Sequence, residues 1–129
     1  MDTERAVEVF AIIHLTTMGL SHVFAHRAWA EFFVLLREKG EPGVLVAAFL
    51  SLGFGSIVVA FHPVWSGIPL VLTIYGWSQV LKGLIYFTFP SFGLRKLGIV
   101  SIERSRMLVI PGAGLLVLAA LIASSLWSA

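Results

Sequence analysis

Two polar residues lie inside a stretch of the chain that is otherwise apolar enough to cross a bilayer. Gln79 and Lys82 fall within 68–89, and Tyr75 and Tyr86 extend the pattern to spacings of 4, 3 and 4 residues. Because a helix turns by about 100° per residue, these four side chains share one face. A charge within the hydrocarbon is unfavourable and is rarely retained without a function. The spacing therefore predicts an intramembrane polar site on this span.

Lys82 has two interpretations. It lies seven residues before Phe89, a distance of about 10 Å at about 1.5 Å per helical residue, so its amine could extend along the helix to the headgroups. Alternatively, it faces a protein-lined site that includes His22 of the first span. Gln79, one turn deeper, favours the second interpretation because its amide needs partners, which a neighbouring helix can supply. No carboxylate lies deep enough to neutralise Lys82, so its partner would be a lipid phosphate, a bound anion or a group of carbonyls.

The first apolar span carries His14, His22 and His26, with Met18 between them. Histidine and methionine are ligands of copper and haem, so these residues raise the alternative of a redox protein associated with haem, copper or quinone. No other span offers a matching histidine. We therefore assign His14 and His22 to the polar site, expect His14 to hydrogen-bond across helices, and predict no metal ligand, cofactor or catalytic residue. Glu8, near the end of the same span, is expected to reach water.

The composition requires lipid as a solvent. The chain has 129 residues, of which 58% are hydrophobic and 12% charged, and its mean hydropathy is +0.95. A soluble domain of this size could not bury so much apolar surface. There is no cysteine, which excludes disulfides and thiolate metal sites. The basic residues flank the apolar spans, which is typical of topology signals and not of a nucleic-acid surface.

Four apolar runs predict an all-α membrane protein, a four-transmembrane-helix bundle forming a single domain, 1–129. Each run approaches the roughly 20 residues that a helix needs to span the hydrocarbon, and backbone groups in lipid must be satisfied within the helix. The predicted spans are about 6–25, 44–61, 68–89 and 107–127. Two intervening amphipathic segments, 28–39 and 92–106, are predicted to lie at the membrane interface.

The distribution of lysine and arginine predicts the orientation. Seven of these residues flank the spans on the side of the two amphipathic segments, against Arg5 alone on the opposite side. By the positive-inside rule, both amphipathic segments are cytoplasmic and both termini are outside. Among the basic residues, Arg27, Arg95 and Lys96 are assigned to contacts with lipid headgroups, including anionic lipid.

The first and third spans run in the same direction, which permits a tandem two-helix repeat. The sequences 19–24 and 76–81 share three of six residues at an offset of 57, and this register places His22 and Gln79 at equivalent depths with a pseudo-two-fold axis along the membrane normal. Ala47, Ser51 and Gly55 recur at four-residue spacing, which predicts a close helix–helix contact within or between protomers.

The segment GLSHVFAHRAWAEFFVLLREKG, followed by a small-residue helix with Gly53 and Gly55, resembles the small four-helix bacterial inner-membrane proteins of the DoxX-like kind. The resemblance covers about a third of the chain and implies a multi-pass protein of the bacterial inner membrane. Some members of that family are linked to redox or thiol-stress partners. Because this chain has no cysteine, no residue here can take over a thiol role.

These observations favour a non-enzymatic integral membrane protein. The leading interpretation is a self-associating channel or transporter-like protein, or an accessory subunit of a larger membrane complex, in which the polar site forms the functional interior. The redox protein that uses the histidines of the first span is the alternative.

Overall fold

The computed structural model describes residues 2–128; Met1 and Ala129, the ends of the predicted domain, lie outside the described residues. Within that range the protein consists of helices and short connections, with no strand. Six α-helices and one 3₁₀ turn follow one another along the chain: α1 (Thr3–Phe24), α2 (His26–Glu38), α3 (Glu41–Phe61), α4 (Leu70–Thr88), α5 (Pro90–Leu97), the 3₁₀ turn Ser105–Leu108, and α6 (Val109–Ser128).

Four of these helices, α1, α3, α4 and α6, are long and apolar enough to cross a membrane. The predicted all-helical fold with four candidate spans is therefore confirmed. The ends of the spans follow local sequence. Asp2 caps α1 by accepting a hydrogen bond from the Arg5 amide at 2.8 Å, Pro42 occupies the first turn of α3, and Pro90 begins α5 directly after α4.

The four long helices pack as two close pairs. α1 lies along α6, and α3 lies along α4, whereas α1 with α3 and α4 with α6 meet more sparsely. The start of α1, the end of α6 and the connection 62–69 lie at one end of the bundle, called here the terminal end. The amphipathic helices α2 and α5 lie at the other end, called here the basic end. The predicted interfacial segment 28–39 corresponds to α2, whereas 92–106 is divided between α5, an irregular stretch and the 3₁₀ turn.

The centre of the bundle near the terminal end is filled by apolar side chains. Buried residues from all four long helices form one cluster: Val7, Ala11, Leu15, Phe54, Val58, Leu72, Ala119 and Ile122. A second cluster at the basic end joins Leu36 of α2 and Leu97 of α5 to Val44 and Ala47 of α3. The amphipathic helices are therefore packed onto the bundle by their apolar faces, which fixes the position of their basic residues.

The two close pairs use equivalent contacts, which supports an internal repeat. A β-carbon built on Gly19 of α1 would lie 2.9 Å from the carbonyl oxygen of Gly112 of α6. A β-carbon built on Gly83 of α4 would lie 3.1 Å from the carbonyl oxygen of Ala48 of α3. Gly19 and Gly83, and likewise Ala48 and Gly112, differ by 64 in residue number. The same difference relates Ala25 to Phe89, whose amides close the ends of α1 and α4 with bonds of 2.7 Å.

The structural register of the repeat is therefore 64 residues and not the 57 suggested by the short sequence match. It relates α1, α2 and α3 to α4, α5 and the 3₁₀ turn with α6. In this register His22 is equivalent to Tyr86, and Gln79 is equivalent to Leu15. His22 lies two residues before the end of α1, whereas Gln79 lies nine residues before the end of α4. The two residues accordingly do not share a depth.

The orientation in the membrane remains a prediction that cysteine labelling can test. Single cysteines replacing Ser66 at the terminal end and Gly98 at the basic end would be the only thiols in the chain. From the bias in lysine and arginine we expect an impermeant thiol reagent to label Ser66→Cys in intact cells and to spare Gly98→Cys until the membrane is permeabilised. Labelling in the reverse order would contradict the predicted orientation.

Candidate functional site

A buried polar network joins α1 to the connection between α3 and α4 at the terminal end. The Nε2 atom of His62 lies 2.7 Å from a carboxylate oxygen of Glu8, and its Nδ1 atom lies 3.0 Å from the hydroxyl of Thr73. His62 is fully buried, and Glu8 and Thr73 are nearly so. The Thr73 hydroxyl also lies 2.7 Å from the carbonyl oxygen of Val64. The network therefore links α1, the start of the connection 62–69 and α4.

The hydrogen bonds constrain where the protons lie. A hydroxyl has a single proton, and the shortest contact of the Thr73 hydroxyl to an acceptor is the carbonyl of Val64. With that proton engaged, Thr73 can only accept from His62, so Nδ1 carries a hydrogen. One further proton then lies between Nε2 and the Glu8 carboxylate, giving either an imidazolium–carboxylate pair or two neutral groups. Either arrangement satisfies every side chain in the network, as burial requires.

The location of Glu8 corrects the expectation that its carboxylate reaches water. The preceding acidic residues, Asp2 and Glu4, are exposed, but Glu8 is buried because His62 covers it. The sequence gives little indication that Glu8 and His62 are in contact. His62 precedes a proline at the end of an apolar run, a position that is typical of a turn, and 54 residues separate it from Glu8. Only the packing of α1 against the end of α3 brings the two side chains together.

The two histidines of α1, and His26 at the start of α2, each meet different partners. His14 stacks on Phe54 of α3, with ring centroids 4.6 Å apart. The Nδ1 atom of His22 donates to the carbonyl of Met18, 2.8 Å away, and the ring of His22 stacks on Trp29 with centroids 4.3 Å apart. Consistent with this separation, no group of three or more potential metal-ligating His, Cys, Asp or Glu residues occurs within 2–128.

His26, the first residue of α2, connects the two halves of the repeat at the basic end. The Nδ1 atom of His26 lies 2.8 Å from the hydroxyl of Ser105, which belongs to the 3₁₀ turn before α6. Nearby, the indole of Trp29 donates to the hydroxyl of Ser21 at 2.7 Å, and Arg37 donates to the carbonyl of Val100 at 2.9 Å. These bonds hold α2 against α1 and against the segment that follows α5.

The polar stripe of α4 is divided between two environments. Tyr75 contacts the ring of Phe54 edge-on, with centroids 5.8 Å apart, so His14 and Tyr75 both pack against Phe54. The β-carbon of Gln79 lies next to Gly55 of α3.

Lys82 and Tyr86, the other two members of the stripe, lie nearer the basic end. Lys82 is exposed on the surface of the protomer, and its Nζ atom lies over the ring of Tyr86, 5.6 Å from the centroid. The structure therefore brings together His14 with Tyr75 and Lys82 with Tyr86, and leaves His22 with Trp29. The assignment of all six residues to one functional site stays a prediction.

The basic residues assigned to lipid differ in their contacts. Arg27 forms an ion pair with Glu31 at 3.3 Å, and both side chains are exposed. Arg95 and Lys96 both lie near the ring of Phe92, at 5.9 and 5.4 Å from its centroid, and neither forms an ion pair with another of the residues 2–128.

Comparison with protein-family models, with curated proteins and with solved structures finds no match for the chain.

Proposed function

We propose that the protein is an accessory subunit of a larger assembly in a bacterial inner membrane, and that it acts through the surface of its bundle and not through a pore in its centre. The DoxX-like resemblance of 19–60 supports this membrane. The observation that carries the proposal is the apolar filling of the bundle. Val58, Leu72 and Ile122 are fully buried and belong to a cluster to which all four long helices contribute.

The polar side chains of the interior form hydrogen bonds with one another. Glu8, His62 and Thr73 satisfy one another, and the His26–Ser105 bond joins α2 to the turn before α6. No buried side-chain nitrogen or oxygen within 2–128 lacks a hydrogen-bond partner. An aqueous path normally presents polar groups to water along its length, so a satisfied and apolar interior favours a role as a packed subunit.

The exposed part of the α4 stripe is where a partner would act. Lys82 is exposed on a helix that is apolar enough to span a membrane, and no carboxylate within 2–128 pairs with it. A symmetric dimer formed through this face would place the Lys82 of one copy near that of the other, because a two-fold interface pairs the same patch on both subunits. Self-association is therefore expected to use a different face, and the α4 face to meet a different molecule.

The absence of an aqueous path can be tested by cysteine reactivity. We expect Leu72→Cys, at the centre of the apolar cluster, to resist a small charged thiol reagent in purified protein, because such a reagent reacts with thiolates that water can reach. Ser66→Cys, in the exposed connection at the same end of the bundle, is the matched control and should react fully. Reaction of both at similar rates would contradict a sealed interior.

The accessory role is tested by comparing the purified chain with the chain in its own membrane. Purified protein reconstituted in vesicles should carry no proton, potassium or small-solute flux above that of protein-free vesicles. A tagged copy extracted from native membranes with a mild detergent should run at a larger mass than the purified chain. Robust flux through the isolated protein, or an identical mass in both preparations, would overturn the proposal.

A further inference from the structure

A series of cation–ring and ring–ring contacts runs from Lys82 on α4 to Arg95 and Lys96 on α5. Lys82 lies over Tyr86, and the ring of Tyr86 meets that of Phe92 edge-on, with centroids 6.3 Å apart. Phe92 in turn lies next to both Arg95 and Lys96. The two rings thus connect a lysine within a membrane-spanning helix to two basic residues on the following amphipathic helix.

Among residues 2–128, no acidic side chain forms an ion pair with this cluster. Neither α4 nor α5 contains an acidic residue, and the only ion pairs within 2–128 are those of Arg27 with Glu31 and of His62 with Glu8. Lys82, Arg95 and Lys96 are all exposed. Neighbouring cations repel each other unless an anion lies between them, and the repulsion is stronger near lipid, where screening by water is weaker.

The surface around the cluster is apolar. Phe89, which follows the last residue of α4, is 61% exposed, and Phe92, whose ring lies next to Arg95 and Lys96, is 37% exposed. Uncharged surface that would meet acyl chains therefore adjoins the cations. An amphiphile with a negative head and apolar tails fits both features, whereas a soluble anion would leave the apolar part uncovered. We propose that this α4–α5 junction binds the phosphate headgroup of an anionic phospholipid, with Lys82, Arg95 and Lys96 as the cationic contacts.

The internal repeat supplies a comparison within the same chain. At a difference of 64 in residue number, the equivalents of Lys82, Arg95 and Lys96 are Met18, Glu31 and Phe32. The first half thus has one acidic and two neutral residues at these positions, and the acidic residue, Glu31, pairs with Arg27. The cationic cluster belongs to the second half alone, and the repeated backbone does not require it.

The chemical test is a lipid titration followed by native mass spectrometry on the delipidated full-length protein in detergent. We expect phosphatidylglycerol to bind more tightly than phosphatidylcholine, since only the first has a net negative charge. Lys82→Met, which installs the residue that the first half has at this place, should weaken binding of phosphatidylglycerol roughly fivefold. The double variant Arg95→Gln/Lys96→Gln should weaken it further, while Lys82→Arg should retain it.

Lys39→Gln and Arg104→Gln are the controls, because both remove an exposed charge at the same end of the bundle without altering the cluster. Equal losses in the controls and in the cluster variants would show general attraction to a basic surface and overturn the proposal. Unchanged binding in Lys82→Met would also overturn it. Circular dichroism and melting temperature must match the wild type. If Lys82→Met fails to fold, Arg95→Gln/Lys96→Gln provides the test, and unchanged binding in that double variant would overturn the proposal.

A second titration distinguishes the source of the phosphate. Glycerol phosphate carries the same anionic group without acyl chains, and we expect it not to compete with phosphatidylglycerol at millimolar concentration. Competition at concentrations similar to that of the lipid would mean that the cluster binds a soluble phosphate, and the lipid assignment would then fall.

Discussion

Gly55→Leu is expected to disrupt the bundle under conditions in which Gly53→Leu leaves it intact. A β-carbon on Gly55 would lie 2.7 Å from the carbonyl oxygen of Gly76 and 2.7 Å from the amide nitrogen of Val80, both on α4. Because these are backbone atoms, the two helices must separate to admit any side chain. Overpacking of this kind commonly costs about 1–3 kcal/mol, and a leucine against backbone should fall at the upper end of that range or beyond.

Gly53 is a matched control on the same helix. It is exposed, and nothing lies within 4 Å of a β-carbon built there. Gly53→Leu should therefore change the free energy of unfolding by less than about 0.5 kcal/mol. Thermal or denaturant unfolding in detergent measures both variants, and native mass spectrometry reports their assembly. Equal stability of the two variants would show that the α3–α4 contact does not hold the bundle together.

The predicted small-residue ridge of α3 thus has a specific partner. Ala47, Ser51 and Gly55 are buried, and the contacts of Gly55 are with α4 of the same chain. Spacing alone predicted a close approach of helices, since small residues four apart line one face. It could not indicate whether the neighbour belonged to the same protomer, because that depends on how the four helices are arranged.

The sequence could predict the spans because each apolar run is a local property of composition. The contacts between residues of different spans depend on tertiary packing, which local composition does not determine. The 57-residue register rested on similarity within six residues, whereas the 64-residue register emerges from which backbones touch, as in Gly19 with Gly112 and Gly83 with Ala48. Membrane helices draw on few residue types, so a short match can occur in the wrong register.

The contacts of the polar residues were likewise not predictable from the sequence alone. Periodicity placed Tyr75, Gln79, Lys82 and Tyr86 on one face of α4, which the helix requires by geometry. The residues of that face have different neighbours in the structure. Tyr75 packs against Phe54 and Gln79 lies next to Gly55, whereas Lys82 is exposed. The residues that flank Glu8 and those that flank His62 do not indicate the contact between the two side chains, which is a product of tertiary packing.

Removal of His62 alone is expected to destabilise the protein strongly. His62→Ala leaves the Glu8 carboxylate buried beneath the connection between α3 and α4 without its 2.7 Å partner. Breaking a buried pair by removing one member commonly costs about 3–5 kcal/mol, because the remaining group is desolvated and uncompensated. We expect a loss of this order in the free energy of unfolding, measured in detergent. Glu8→Gln, which can still form a hydrogen bond with the imidazole, should lose less.

The internal repeat indicates how the loss can be reversed. At a difference of 64, the equivalents of Glu8 and His62 are Leu72 and Leu126, both buried, so the second half fills these positions with apolar side chains. Replacement of a buried pair by apolar residues of similar size is often neutral or stabilising. We therefore expect Glu8→Leu/His62→Leu to recover most of the stability lost in His62→Ala, since Thr73 keeps its bond to the carbonyl of Val64. A double variant as unstable as His62→Ala would show that the ring of His62 has a packing role that leucine cannot fill. A double variant that is stable but fails to assemble in native membranes would instead assign the pair a function beyond holding the fold.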